Sequence, residues 1–316
     1  MKYKSVLIAG GAGFLGSYLC DYYVDQGARV VCIDNLSSGQ IRNIKHLQGR
    51  QNFTFVKGDI VKSLPKSVTG QKFDLIINMA SPASPPHYQR LALETLQVGS
   101  IGTEHLLQLA ERDKARFFQA STSEVYGDPE IHPQPESYKG SVNCYGPRSM
   151  YDESKRYAES LIYVYHNNFG VDTVIARFFN TYGPRMDAKD GRVVSNFSVQ
   201  AINGKSLTVY GKGDQTRSFC YVDDLIQGIV KLIDSTEAGP MNLGNPKEFT
   251  VLELADLVKE ITGNKKPLTY MPLPGDDPMQ RKPVIDYANQ ALGWQPKIPL
   301  EQGLAKTIKY FKNIKE

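Results

Sequence analysis

The feature that most restricts this chain is a short apolar run at 5–9 (SVLIA) that ends in glycines and leads into apolar residues at helical spacing over 14–24. Between the two lies Gly10-Gly11-Ala12-Gly13-Phe14-Leu15-Gly16, which fits Gly-x-x-Gly-x-x-Gly and, counted from Gly11, Gly-x-Gly-x-x-Gly. In a strand-turn-helix setting such glycines permit the tight turn and let the backbone approach a pyrophosphate at the helix N-terminus. A second apolar run, 29–33 (RVVCI), ends at Asp34, eighteen residues after Gly16. A carboxylate there accepts both hydrogen bonds from an adenosine ribose and repels a 2′-phosphate, which points to NAD rather than NADP. A structural turn followed by a strand-end Asp is the plainer explanation of the same residues. Asp59-Ile60, after the third strand, is positioned to bracket the adenine, although a Gly-Asp turn accounts for it nearly as well.

Further strands are expected at 53–56, 73–77 and 116–119, separated by helical stretches such as 91–112 and 151–169. Strands alternating with helices imply an α/β protein built on a Rossmann-type, doubly wound parallel sheet. The run 171–179 (VDTVIARFF) is expected as the last long strand of that half. Beyond it Gly and Pro are denser and elements shorter, with helices at 193–202 and 251–261, strands at 206–210 and 268–271, and a loop at 272–283. The expected division is a NAD-binding Rossmann domain over 1–179 and a smaller C-terminal α/β substrate-binding region over 180–316, with the apolar helix 223–233 returning to the first.

Composition narrows the partners. Lys plus Arg number 37 against 33 Asp plus Glu, and the resulting +4 is spread without a block of like charge, so neither nucleic acid nor an anionic membrane is expected. No segment approaches the roughly 18 apolar residues of a membrane span. The four cysteines (Cys20, Cys32, Cys144, Cys220) form no Cys-x-x-Cys pair and no Cys/His cluster. Reduced thiols, no metal and a cytoplasmic location are the expectation.

Tyr151-Asp152-Glu153-Ser154-Lys155 has the Tyr-x-x-x-Lys spacing, and residues four apart share a helix face. A lysine ammonium beside a phenol favours the phenolate, so Tyr151 can act as acid or base near neutral pH while Lys155 also holds the nicotinamide ribose. Such spacing arises cheaply in a chain with 18 tyrosines. Its weight comes from 120–124 (ASTSE), at the C-terminal end of an expected parallel strand, where open α/β sheets bind ligands. Thr122 can hydrogen-bond the substrate hydroxyl that Tyr151 deprotonates, and Glu124 brings a carboxylate nearby. A strand-end Ser/Thr cap with a solvated Glu is the plain alternative.

These motifs resemble the extended short-chain dehydrogenase/reductase family over essentially the whole chain: 10–16, 121–127 (STSEVYG), Tyr151/Lys155 and 177–185 (RFFNTYGPR) stand in family order on the expected elements. Within that family, 81–88 (SPASPPHY), 125–133 (VYGDPEIHP), 191–197 (GRVVSNF), 215–222 (QTRSFCYV), 242–246 (NLGNP) and Arg281-Lys282-Pro283 are similar to the UDP-glucuronate decarboxylases. The resemblance implies a UDP-sugar substrate and an NAD that is recycled within each turnover. Tyr151 takes the proton of the sugar 4-hydroxyl as hydride passes to NAD, the 4-keto sugar loses carbon dioxide from C5, and protonation at C5 with return of the hydride to C4 gives UDP-xylose. It further implies that Thr122 helps Tyr151 at O4, that Ser123 and Arg281 contact the carboxylate, and that Glu124 assists positioning or proton movement. Taken alone, Arg281 reads as a loop arginine in a surface ion pair. Arg185, Arg192 and Arg217 are candidates for the diphosphate, since forked guanidinium groups suit charged acceptors. Asn180 matches a position that touches the nucleotide sugar, and Phe197 and Tyr210 are candidates to flank the uracil. Asn35, Gly39, Ala80 and Ser81 complete the expected cofactor contacts.

Several positions depart from the decarboxylase pattern. Gln97-Val98-Gly99 stands where Lys-Thr-Asn is common, Lys139 where Trp is usual, and Cys144-Tyr145 where Pro-Ile is. On sequence these segments flank the reacting sugar, which keeps open a UDP-hexose or UDP-N-acetylglucosamine dehydratase (4,6- or 5,6-elimination) in which Glu124 removes the C5 proton. Ser123, where many dehydratases have Asp, suits a carboxylate neighbour better. A UDP-sugar 4-epimerase shares the turn, Tyr and Lys but needs neither Glu124 nor Arg281, and a non-catalytic NAD-sensing protein would need none of the reacting set. Helices 91–112 and 151–169 carry apolar residues on more than one face, as helices paired across a two-fold axis do. A homodimer is expected; a monomer with both helices buried all round fits the same pattern.

Overall fold

A computed structural model describes residues 2–272 and 280–314 of the 316-residue chain. Its strands are β1 (Ser5–Ala9), β2 (Arg29–Asp34), β3 (Phe53–Lys57), β4 (Leu75–Asn78), β5 (Arg116–Thr122), β6 (Thr173–Phe178), β7 (Thr181–Tyr182), β8 (Thr208–Tyr210), β9 (Thr216–Ser218), β10 (Cys220–Tyr221), β11 (Pro240–Leu243), β12 (Glu248–Thr250), β13 (Thr269–Met271) and β14 (Gln280–Arg281). The α-helices are α1 (Phe14–Asp25), α2 (Lys66–Thr69), α3 (Pro85–Arg90), α4 (Ala92–Gln97), α5 (Thr103–Asp113), α6 (Ser149–Phe169), α7 (Val193–Ile202), α8 (Val222–Asp234), α9 (Val251–Thr262), α10 (Asp286–Leu292) and α11 (Leu300–Asn313).

Seven strands form one sheet in the order β11-β6-β5-β4-β1-β2-β3, with every neighbouring pair parallel. Parallel neighbours need crossover connections, and the helices that supply them cover both faces of the sheet. That is why β1 is buried along its whole length: Val6 and Ile8 enter the apolar layer beneath α1 and α8, while Leu7 and Ala9 enter the layer beneath α5 and α6. A third apolar cluster joins Phe197 of α7, Leu254 of α9 and Leu304 of α11. Because the sheet strands are parallel, the turn after β1 and the turn after β5 open at the same edge.

The long strand at 171–179 is present as β6 but does not end the sheet. After α8 packs back beside α1, β11 adds outside β6, pairing Met241 with Ala176 and Leu243 with Phe178. The single helix expected over 91–112 is three segments, α4, a π-turn at Val98–Gly102 and α5. Close packing explains the break: a Cβ at Gly99 would lie 2.5 Å from the Ser154 carbonyl of α6, and one at Gly102 2.8 Å from Ile60. Within the loop expected at 272–283, Gln280–Arg281 form β14, parallel to β9, and the remainder at 273–279 lies outside the described residues. Among the described residues no helix is long and apolar enough to cross a membrane, and no group of His, Cys, Asp and Glu is arranged to hold a metal.

Candidate active site

A cavity of about 550 Å³ runs along that open edge, from Gly10 and Phe14 past Thr122 and Tyr151 to Asn180 and Arg281. At its first end Gly10 has φ +74°, and a Cβ there would lie 2.7 Å from the Ala80 backbone. A Cβ at Gly16 would meet the Gly10 carbonyl at 2.2 Å, so only glycine fits either place. Gly13, Phe14, Leu15 and Ser81 line the same end. Asp34 closes β2, with Oδ2 accepting the Ala12 N–H at 3.0 Å and Oδ1 the Leu36 N–H at 2.8 Å. Burial pushes its carboxyl up, against those two bonds. Gly39 packs directly on that carboxylate, where a Cβ would come within 2.7 Å. Asn35 Nδ2 donates to Asp59 Oδ2 at 3.1 Å, so these two expected contacts meet each other. The Ile60 side chain, expected against an adenine, instead enters the core beside Gly102, where the missing side chain leaves it room.

Two buried acceptors at this end, Gln40 Oε1 and Asn43 Oδ1, have no partner, and both residues line the cavity. Buried polar atoms of this kind are normally satisfied. A turn stripped of side chains, a fixed carboxylate beyond it and orphaned acceptors together fit a dinucleotide.

At the reacting end Thr122 closes β5, and Ser123–Tyr126 follow as one 3₁₀ turn. Thr122 Oγ1 accepts the Glu124 N–H at 3.3 Å, which aims the Glu124 side chain away from the strand and toward the cavity. Tyr151 and Lys155 lie one turn apart on α6. Burial raises the Tyr151 phenol to about 12, and a hydrogen bond with Thr122 pulls it the other way. Burial draws Lys155 down to about 8, opposed by Glu159. Its Nζ donates to the Ala120 carbonyl at 2.9 Å and stands 5.8 Å from the centre of the Tyr151 ring. The expected lowering of the phenol by Lys155 is therefore not met in the protein alone: the ammonium is aimed at β5, and the Thr122 hydrogen bond, followed by the Arg192 charge, favours the phenolate.

Arg281 is the largest surprise, because a residue readable as a surface arginine is only 2% exposed. Its NH1 donates to Ser123 Oγ at 3.0 Å and to Glu124 Oε1 at 2.7 Å, its NH2 to the Gly127 carbonyl at 2.9 Å, and its buried Nε has no partner. Gly127, at φ +65°, turns that carbonyl inward, and a Cβ there would lie 1.9 Å from the Ser141 carbonyl. The other Glu124 oxygen accepts from Arg148 NH2 at 2.5 Å. Burial opposes the Glu124 charge, yet the Arg281 and Arg148 guanidiniums outweigh it and hold the carboxyl at about 2.

Sequence reasoning missed Arg148, although it sits three residues before Tyr151, a spacing that brings two helical residues to one face. Tyr88 was quoted only within a motif. Its ring stacks on Tyr151 with centroids 5.0 Å apart, and its hydroxyl, like Ser84 Oγ beside it on the cavity wall, is buried without a partner.

The nucleotide-side candidates all line the cavity, and each of the three arginines also has partners within the protein. Arg185 pairs with Asp21 at 2.6 Å and stacks on Tyr18, which ties it to α1. Arg192 is forked onto Asp190 at 2.5 and 2.8 Å. Arg217, on β9 beside Arg281, donates to the Thr216 carbonyl. Asn180 follows β6, Phe197 is buried on α7, and Tyr210 closes β8 with its side chain half in solvent. The departures from the decarboxylase pattern fall elsewhere. None of Gln97, Val98, Gly99, Lys139, Cys144 or Tyr145 lines the cavity, and Tyr145 is 97% exposed.

Comparison with known proteins agrees with this geometry. The family described as GDP-mannose 4,6 dehydratase matches residues 7–307. The chain is 50% identical to UDP-glucuronic acid decarboxylase 1 of Danio rerio over 308 residues, covering 98% of this chain and 72% of that protein. Among solved structures it resembles the Thermotoga maritima UDP-glucose 4-epimerase with UDP-glucose (TM-score 0.89, 28% identity, 98% of each chain). It also resembles the Bacillus cereus UDP-glucuronic acid 4-epimerase in complex with UDP-glucuronic acid and NAD (TM-score 0.88, 27% identity, 98% of this chain and 99% of that one). With a dinucleotide turn, a Thr-Tyr-Lys set and a match spanning nearly its whole length, the chain belongs to the extended short-chain dehydrogenase/reductases, in the family described as GDP-mannose 4,6 dehydratase.

Proposed function

We propose that the protein is an NAD-dependent lyase that converts UDP-glucuronate to UDP-xylose through a 4-keto sugar. When bound, NAD supplies the hydride acceptor and returns the hydride at the end of the cycle. Tyr151, hydrogen-bonded to Thr122, takes the proton from the sugar 4-hydroxyl and later gives it back. Lys155, fixed on the Ala120 carbonyl, holds the nicotinamide ribose, and Asp34 the adenosine ribose. Once C4 is a ketone, the 5-carboxylate is β to it, so the electrons of the breaking C–C bond pass into an enolate as carbon dioxide leaves; a proton added at C5 restores the 4-ketone, which takes back the hydride to give UDP-xylose. Arg281 and Ser123 orient that carboxylate, and Asn180, Arg192, Arg217, Phe197 and Tyr210 contact the UDP portion.

The observation that carries this reading is the buried Arg281, set on the cavity lining beside Ser123 with its guanidinium not fully partnered. A carboxylate meets a guanidinium with opposite charge and two acceptor oxygens, where the 6-hydroxyl of a hexose offers one neutral acceptor. The dehydratase alternative asks Glu124 to remove a proton from C5, yet two guanidiniums hold it as a weakly basic carboxylate. Arg281→Ala is expected to weaken UDP-glucuronate at least tenfold relative to UDP, about the factor given by losing one charged hydrogen bond. Equal loss for the two ligands would make Arg281 a diphosphate contact and sink the uronate assignment.

The same reading divides the work between an NAD-holding 1–179 and a nucleotide-sugar-holding 180–316, with 223–233 and β11 contributed back to the first sheet. A homodimer belongs to it too, supported by exposed Leu93, Leu96, Tyr157 and Val164 on α4 and α6, which pack side by side. The four unpaired cysteines support a cytoplasmic setting.

A further inference from the structure

The segment 125–133 and the motif at 242–246 have no part in the chemistry above, yet both lead to the residue that matters most for it. Gln134, at the end of the first, is fully buried. Its backbone N–H donates to the Lys282 carbonyl at 2.8 Å and its carbonyl accepts the Val284 N–H at 2.9 Å, one parallel bridge centred on Pro283. Its side-chain Oε1 accepts the Lys282 N–H at 2.9 Å, while Nε2 donates to the Ile131 carbonyl at 2.8 Å. Pro283 has no N–H, so both backbone donors available in the three residues after Arg281 end on Gln134.

Asn242 fixes this arrangement to the main sheet. It sits on β11, and its Nδ2 donates to the Gln134 carbonyl at 3.0 Å and to the Val284 carbonyl at 3.1 Å. Its Oδ1 accepts from the Tyr126 hydroxyl at 2.8 Å, so the clip also grips the 3₁₀ turn that carries Ser123 and Glu124. Upstream, β14 is held against β9 by pairing of Arg281 with Arg217. Arg281 is thus fixed on both sides along the backbone, and its guanidinium arrives between partners fastened to the same clip. A long side chain delivered from a free loop would lose rotamer freedom on reaching that position, and a supporting shell avoids this.

We infer that Gln134 is a positioning residue for Arg281, anchored through Asn242, and that this clip determines discrimination for a carboxylated sugar. The inference rests on the reading of Arg281 as the carboxylate contact. The test is a double-mutant cycle on the NAD-loaded protein in a Tyr151→Phe background, which blocks turnover, with UDP-glucuronate and UDP affinities measured by calorimetry. Gln134→Met keeps the shape and removes the side-chain hydrogen bonds with Lys282, Ile131 and His132. It is expected to weaken UDP-glucuronate about tenfold, leave UDP unchanged, and add nothing once Arg281 is Ala. Gln134→Glu keeps an oxygen to accept the Lys282 N–H and is expected to restore discrimination.

An effect of Gln134→Met that persists in full on Arg281→Ala, or that strikes UDP equally, overturns the inference, as does no effect at all. If the Met variant does not fold, the shorter Gln134→Asn withdraws the same oxygen and carries the same expectations. Should Arg281→Ala itself fail to separate UDP-glucuronate from UDP, the reading of Arg281 has failed; if it separates them and Gln134→Met does not, only the positioning role has.

Discussion

Burial acts in opposite directions on the groups around Tyr151. It pushes the phenol up and Lys155 down, so neither residue is poised by the other, and Thr122, followed by the Arg192 charge, supplies the pull toward phenolate. Asp152, the next residue on α6, is the least comfortable group nearby: it is buried, and its Oδ1 has no partner. Burial first, and then the Glu124 charge, raise its carboxyl from 3.8 to about 7, with Arg148 opposing. Because the folded value lies above the unfolded one, the folded protein holds an extra proton in that window. The stability this contributes is present below the unfolded value and lost as pH rises through the folded one. Asp152→Asn, which imitates the protonated form, is therefore expected to raise Tm by an amount that grows from about pH 4 to about pH 7 and then levels off. A gain independent of pH, followed by thermal melts across that range, would contradict the assignment. Thr122, Glu124, Tyr151 and Lys155 were legible as residues that share one cavity because each follows a strand end or a helical spacing. Arg281 was legible only through family likeness, since the partners of its guanidinium, Ser123, Glu124 and Gly127, lie more than 150 positions away in the chain.

At the scale of elements, the joint between α4 and α5 shows how a local departure is absorbed. Gly99, one of the positions where the chain leaves the decarboxylase pattern, sits where a side chain would strike the Ser154 carbonyl, and the helix passes through a π-turn there. The position lies in the contact between two helices and outside the cavity lining. The outer faces of the same helices expose Leu93 at 64% and Tyr157 at 53%, and this is the face on which the proposed homodimer would pair. Leu93→Lys combined with Val164→Lys is expected to turn a dimer into a monomer in sedimentation, since unpaired charge at an interface centre is strongly unfavourable. A dimer that survives both changes would place the interface elsewhere. The major strands and helices were readable from periodicity, whereas β11 and β14 were not. Each is too short for a pattern of its own, and each exists because a distant partner, β6 or β9, offers it an edge.

At the scale of the whole molecule, one cavity joins two halves with different sources of order. The cofactor end is built around a glycine turn where added side chains would clash and a carboxylate fastened by backbone amides, so it was visible in the sequence as spacing. The sugar end is built by side chains from β5, α6, β9 and β14, which only folding brings together, and there the sequence suggested a list of candidates without their partners. Arg185 and Arg192 illustrate the difference, since both line the cavity as expected and both are paired with aspartates that spacing could not foresee. The central claim is that this cavity removes carbon dioxide from a uronate after oxidising it at C4. It is tested most directly by mass spectrometry of the nucleotide sugar recovered after incubation with NAD and, separately, UDP-glucuronate, UDP-glucose and UDP-N-acetylglucosamine. The account predicts a product lighter by one carbon dioxide from UDP-glucuronate, with UDP-glucose and UDP-N-acetylglucosamine unchanged. Loss of one water from either neutral sugar, or an isomer of unchanged mass from UDP-glucuronate, would contradict it.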